Sequence, residues 1–154
     1  MIRSFCCLVL IMISLVSCKR EKVVCYVYNH TPIEGWEQHN VQTFQIDTIR
    51  EDGYYNFSVC LRNTNSYPFQ SLWLLVQQHF LRPDTVMQDT VVCYLTDLQG
   101  NQQGKGFSIY QNEYPFRRIY LGKGCEAVVS VSHIMRRNIL PGISDVGLLV
   151  KKEN

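Results

Sequence analysis

The residue with the most pointed chemistry lies near the start of the chain. Cys18 closes the run Leu15-Val16-Ser17-Cys18, and Arg3 stands ahead of an almost wholly apolar stretch over residues 5–16. A positive head followed by about a dozen apolar residues suits the h-region of a signal peptide, and it is short of the ~20 that a membrane-spanning helix needs. Ser17 is small enough to pass a signal peptidase, and Leu15 holds the large apolar position before it. The expected chemistry is addition of a diacylglyceryl group to the Cys18 thiol, followed by removal of residues 1–17. Two or three acyl chains, at roughly 0.8 kcal/mol per buried methylene, hold a protein to a bilayer where one chain does not. Residues 1–17 are therefore expected to be a lipoprotein signal peptide, 18–22 a lipidated start and short tether, and 23–154 one domain.

The other residues able to do chemistry do not converge. Cys25, Cys60, Cys93 and Cys125 would follow export into an oxidising compartment. They allow three pairings, which sequence does not choose among, and all four stand in apolar segments where buried free thiols are an equal expectation. No Cys-x-x-Cys spacing occurs. His30, His39, His79 and His133 are scattered, without the short spacing of metal ligands. Asp84, Asp89 and Asp97 are carboxylates near turns, where such groups cap or face solvent. Gly104-Lys105-Gly106 lacks the spacing of a phosphate loop, and no Gly-x-Ser-x-Gly elbow is present. The expectation is no catalytic residue, no metal and no cofactor. The formal charge of +2 at pH 7 leaves no basic field for nucleic acid. Lys19, Arg20 and Lys22 beside the anchor read as a solvated tether, with contact to anionic headgroups as the alternative.

The mature chain of about 137 residues is the size of one domain and can bury a core without staples. Its pattern is all-β. Strand-like runs cover residues 23–28, 41–47, 54–62, 69–80, 85–95, 107–110, 117–121, 125–133 and 146–150. The clearest is 54–62, where Tyr55, Phe57, Val59 and Leu61 share one face at period two. Phe44 and Ile46 share a face in the second run, as do Ala127, Val129 and Val131 near the end. Residues 69–80 also suit a helix through Leu72, Leu75, Val76 and Phe80, but the Trp, Val and Phe content favours a strand. Short turns between the runs point to a single antiparallel β-sandwich or jelly-roll-like domain.

Aromatic residues are numerous: Trp36, Trp73, Tyr54, Tyr55, Tyr67, Tyr110, Tyr114 and Tyr120. The expected role is core filling and edge pairing. The alternative is stacking of exposed rings on sugars.

A set of short motifs, in order, carries a resemblance. After Cys18 and Trp36 come Tyr54-Tyr55-Asn56, Leu61-Arg62-Asn63-Thr64, Tyr67-Pro68 and Leu72-Trp73-Leu74. Then follow Asp89-Thr90-Val91, Leu95-Thr96-Asp97, Gly100 and Gly104-Lys105-Gly106. His133-Ile134-Met135-Arg136, Leu140-Pro141-Gly142-Ile143 and Asp145-Val146-Gly147-Leu148 complete it. In this order and spacing the chain resembles the gliding motility lipoprotein GldH family of Bacteroidetes over nearly the whole mature length. The resemblance implies a non-enzymatic, lipid-anchored component of the cell-envelope gliding and associated protein-secretion machinery, whose partners are the membrane and other envelope proteins. An envelope glycan-binding lipoprotein is the alternative. The net basic stretch Lys19-Arg20-Glu21-Lys22, where surface export in this phylum favours acidic residues, places the expected site on the periplasmic face of the outer membrane. The motif residues themselves have expected structural roles: Arg62 pairing with Asp89 or Asp145, Gly104 and Gly106 supplying positive φ or close approach, residues 135–137 making a helical turn, and Asp145 bonding the preceding turn.

Overall fold

The computed structural model describes residues 21–154. Cys18, the signal sequence and most of the tether lie outside the described residues. Every element among them is a β-strand: β1 Lys22–His30, β2 Trp36–Glu37, β3 Gln42–Ile46, β4 Gly53–Thr64, β5 Ser71–Leu81, β6 Asp84–Tyr94, β7 Ile109–Leu121, β8 Ala127–His133, β9 Ile139–Leu140 and β10 Ile143–Lys152. They form a four-stranded sheet in the order β1-β10-β4-β7, a second in the order β3-β8-β5-β6, and a small β2-β9 pair. All strand pairs are antiparallel.

Period-two patterning decides which side chains go inward. Tyr55, Phe57, Val59 and Leu61 of β4, Leu72, Leu74, Val76 and Phe80 of β5, and Ala127, Val129 and Val131 of β8 are buried in one core cluster fed by both large sheets. Phe57 and Phe80 meet edge-on across it, with centroids 6.1 Å apart. The helical alternative for residues 69–80 fails on Leu75, which is only half-buried and faces away from Leu74 and Val76. β10, between β1 and β4, is buried on both faces from Asp145 to Val150. Its outer face is covered at Gly147 by the Tyr28 ring, where an added Cβ would come within 2.7 Å of Cδ1.

Three expectations are corrected. The runs expected at 107–110 and 117–121 are not two strands: residues 109–121 form one strand, β7, and 107–108 lie in the connection before it. β7 carries Pro115 in its interior; it is an edge strand, and its register with β4 slips between Pro115 and Arg117, a setting that tolerates proline. Residues 134–138 are irregular, without the helical turn. Arg62 pairs with neither Asp89 nor Asp145: its Nε donates to Gln111 Oε1 (3.3 Å), and its guanidinium lies 4.0 Å above the Tyr28 ring.

The two flanks differ. Beside β7 and β6, Arg117 binds Asp89 through a forked pair at 2.7 and 3.0 Å, and Tyr114 Oη donates to Tyr94 O at 2.7 Å. On the other flank, Asn29 Nδ2 of β1 donates to Thr43 O of β3 at 3.3 Å. The two ends differ as well. Chain direction puts connections 47–52, 82–83 and 122–126 at the end where β1 begins. Connections 31–41, 65–70, 95–108 and 134–142 lie at the opposite end. The longer of these exceed the usual ~4–6 residues.

Candidate functional site

The residues with catalytic potential are engaged in holding the fold. Asp84 faces His79 Nε2 at 2.6 Å, Asp89 is clamped by Arg117 and by Gln78 Nε2, and Asp145 pairs with Ser144 and His30. His133 is fully buried edge-on to Trp36, and its Nε2 donates to Trp36 O at 3.1 Å. Burial pushes its pKa down, against weaker upward pulls from the Trp36 and Asn138 carbonyls. Cys25, Cys60, Cys93 and Cys125 are free thiols. Burial raises all four, Cys60 to about 11, which keeps them protonated and poorly nucleophilic. No group of three or more His, Cys, Asp or Glu able to hold a metal occurs among the described residues.

Most of the quoted motifs gather at the end with the long connections, whereas Tyr54-Tyr55-Asn56 opens β4 at the other end and Asp89-Thr90-Val91 lies within β6. Asn63, fully buried at the close of β4, donates through Nδ2 to Gln102 Oε1 (2.9 Å) and accepts from Asn112 Nδ2 (3.2 Å). It thereby ties connection 95–108 to β4 and β7. That connection folds into two small loops, each closed by an antiparallel bridge: Thr96 with Gln102, then Lys105 with Gln111.

In the first loop Asp97 Oδ1 accepts from the Gln99 and Asn101 backbone N–H groups (2.9 and 2.8 Å), and Oδ2 accepts from Asn101 Nδ2 (2.8 Å). These bonds, led by that from the Asn101 side chain, hold the Asp97 carboxyl below the usual range. In the second loop glycine is required twice by close approach. A Cβ on Gly104 (φ +90°) would come within 2.5 Å of Gln111 O, and one on Gly106 (φ +140°) within 1.9 Å of Ile109 O.

Neighbouring motifs complete the platform. Thr64 N donates to Gly142 O (2.8 Å), Tyr67 N to Thr64 O (3.3 Å), and Tyr67 Oη to Ser71 O (2.9 Å). Leu95 and Leu140 are fully buried beneath.

Apolar side chains stand out from this platform. Ile33 is 100%, Phe107 96% and Leu98 89% exposed, each in a long connection. The aromatics divide by burial: Trp36, Tyr55 and Tyr67 are buried, whereas Trp73, Tyr54 and Tyr120 are exposed. Tyr54 and Tyr120 meet edge-on at 5.4 Å and 78°, with the Arg118 guanidinium over Tyr54, so these rings do not form a flat pair. The sequence pattern did not reveal the clamp at Asn63 or the exposure of Leu98 and Phe107. The turn signals around Asp97, Gly100 and Gly104-Lys105-Gly106 were the only local hint.

Known proteins place the chain. Its residues 23–150 match the family model described as GldH lipoprotein. It is 27% identical to the "Gliding motility lipoprotein GldH" of Flavobacterium johnsoniae, over 96% of this chain and 95% of that protein. It is 24% identical to the "Gliding motility lipoprotein GldH homolog" of Christiangramia forsetii, over 90% of this chain and 88% of that protein. Among solved structures it is similar to the Eiger TNF of S. frugiperda (8% identity, 83% of this chain and 92% of that one, TM-score 0.33) and to infectious bursal disease virus Gx strain (13%, 90% and 32%, TM-score 0.31). TM-scores this low do not establish a shared fold. The family model spans most of the chain, and with it the resemblance read from the motifs is established: the chain belongs to the GldH lipoprotein family.

Proposed function

We propose that this protein is a lipid-anchored, non-enzymatic component of the envelope machinery for gliding and its associated protein secretion. In this reading Cys18 carries the acyl chains, residues 18–22 form the tether, and residues 23–154 act as a scaffold on the periplasmic face of the outer membrane. Family membership and the names of the two relatives support the class. The observation that carries the mechanism is the polarity of the molecule. β1 begins at the end with short connections, while the convergent motifs and the exposed Ile33, Leu98 and Phe107 occupy the other. An anchor four residues before Lys22 holds the first end within about 15 Å of the bilayer. The motif-bearing end then faces partners. Confinement to the membrane plane raises effective concentration, so modest affinity suffices.

The fold reading that accompanies this is a sandwich of jelly-roll type. Its support is the pair of strand orders β1-β10-β4-β7 and β3-β8-β5-β6, in which the chain passes repeatedly between the two large sheets.

The test is a clean deletion in the source organism, scored for surface spreading and for protein released to the medium. Loss of either, restored by the wild-type chain, is the expected result. Normal spreading and secretion would remove the machinery reading and leave an envelope glycan-binding role to be tested by quenching of tryptophan fluorescence with envelope polysaccharide.

A further inference from the structure

The outer face of the β3-β8-β5-β6 sheet carries almost no charge, and we infer that it binds an uncharged polysaccharide, whose hydroxyl groups meet a row of amide and hydroxyl side chains while one sugar ring stacks on Trp73. The inference goes beyond the scaffold reading and does not rest on it.

Strand register puts these residues on one face. The outward Gln77 of β5 pairs with Gln88 of β6 and with Ser130 of β8, and Ser130 pairs in turn with Thr43 of β3. Their side chains cross the sheet as one row, about 4.8 Å apart from strand to strand. The next row toward the long connections holds Ser132, Leu75 and Thr90. Beyond it Trp73 stands beside Val92, and Tyr94 follows opposite Ser71. Of the outward positions on these four described strands, Asp84 alone is charged, and it lies at the hairpin end against His79 Nε2 at 2.6 Å. The outer face of the other sheet differs. It carries Arg62, Glu113, Lys151 and Arg118, and it is covered by the pairs Lys151–Glu113 (3.4 Å) and Arg118–Glu153 (2.7 Å) and by the Tyr28 ring over Gly147.

The chemistry of the face selects the occupant. Anionic headgroups call for Lys and Arg, and the outward positions hold neither. A protein interface has an apolar centre within a polar rim. This face has the reverse order, with the polar row Thr43, Ser130, Gln77 and Gln88 across its middle and the apolar Trp73, Val92 and Tyr94 at one end. Amides and hydroxyls both donate and accept, so they match sugar hydroxyls without burying an unpaired charge. The Trp73 indole, 45% exposed, and the Tyr94 ring, 60% exposed, supply flat apolar surface for the C–H side of a sugar ring. Trp73 and Gln77 are four residues apart on β5, roughly 13 Å, so a chain of sugars rather than a single one engages both. β5 and β8 are hydrogen-bonded on both sides, which holds the row in place before any ligand arrives.

The test is calorimetric titration of the full chain, as cells produce it and purified in detergent, with hexamers of glucose, mannose and N-acetylglucosamine. Hexagalacturonate is the charged counterpart. The expected result is saturable binding of at least one neutral hexamer and none of hexagalacturonate. Trp73→Ala, and separately Gln77→Ala with Gln88→Ala, should each weaken binding roughly tenfold or more, since a ring contact or two hydrogen bonds are lost. Tyr120→Ala, on the outer face of the other sheet, should leave it unchanged. The substituted side chains are all outward, so each variant should keep the wild-type Tm. No binding of any neutral hexamer, equal binding of hexagalacturonate, or no response to Trp73→Ala and to the glutamine pair would overturn the inference. So would sedimentation as a dimer that Trp73→Ala returns to monomer, because a second copy would then cover the face. Sugar binding in a protein whose deletion leaves spreading and secretion normal would remove the machinery reading and keep this one, and the converse result would do the opposite.

Discussion

At the scale of single residues, the side chains that looked capable of catalysis work as fasteners, and the most consequential one is an amide. Asn63 is buried between Gln102 and Asn112. Asn63→Ala leaves both partners unmatched, and such orphaned groups cost about 1–3 kcal/mol. For a domain of this size that corresponds to a fall in Tm of roughly 2–10 °C, measurable by circular dichroism. An unchanged Tm would show that the clamp is not structural. His133 gives a pH signature. Its folded pKa lies below the ordinary histidine value, so its contribution is present above about pH 6.5 and is lost as pH falls through the folded pKa. Tm should therefore drop on acidification from pH 7 toward 5, and His133→Gln should flatten that slope. A slope unchanged by the substitution would assign it to other groups.

At the scale of elements, period-two alternation made the inward rows of β3, β4 and β8 legible, because one face of each strand meets the core. Two things were hidden. Pro115 masked the continuity of β7, since sequence does not say whether a strand lies at an edge. Asn63 read as the polar close of a strand, because its two partners lie 39 and 49 residues away in the chain. β1 is an edge strand too, and Val23, Val24, Tyr26 and Val27 are exposed along it without a charge or proline among them. Unprotected edges of this kind pair with other chains. Val27→Lys should raise the concentration at which the unacylated mature chain self-associates, as read by light scattering. No change would clear β1 of that role. Gly142, at φ +82°, has its Cβ position 2.2 Å from Tyr67 N. Gly142→Ala should destabilise by more than the ~1 kcal/mol of an ordinary left-handed strain, because backbone must move. A Tm within a degree of wild type would contradict that packing.

At the scale of the whole molecule, the all-β antiparallel class and the motif set were both readable. The gathering of most of those motifs at one end was not, because it depends on strand direction and on which connections share an end. Asn63, the stretch from Asp97 to Gly106, and Gly142 are far apart in sequence and build neighbouring parts of one surface. The proposed arrangement, an anchor at one end and a constructed surface at the other, works only if the anchor holds the molecule in place. The most direct measurement is therefore a rescue of the deletion strain by Cys18→Ala beside a wild-type rescue at matched protein levels, scored for surface spreading and secretion, with labelled palmitate to read acylation. Wild type should incorporate palmitate and restore the deficit, and Cys18→Ala should do neither. Full rescue by the unacylated chain would contradict an anchored scaffold.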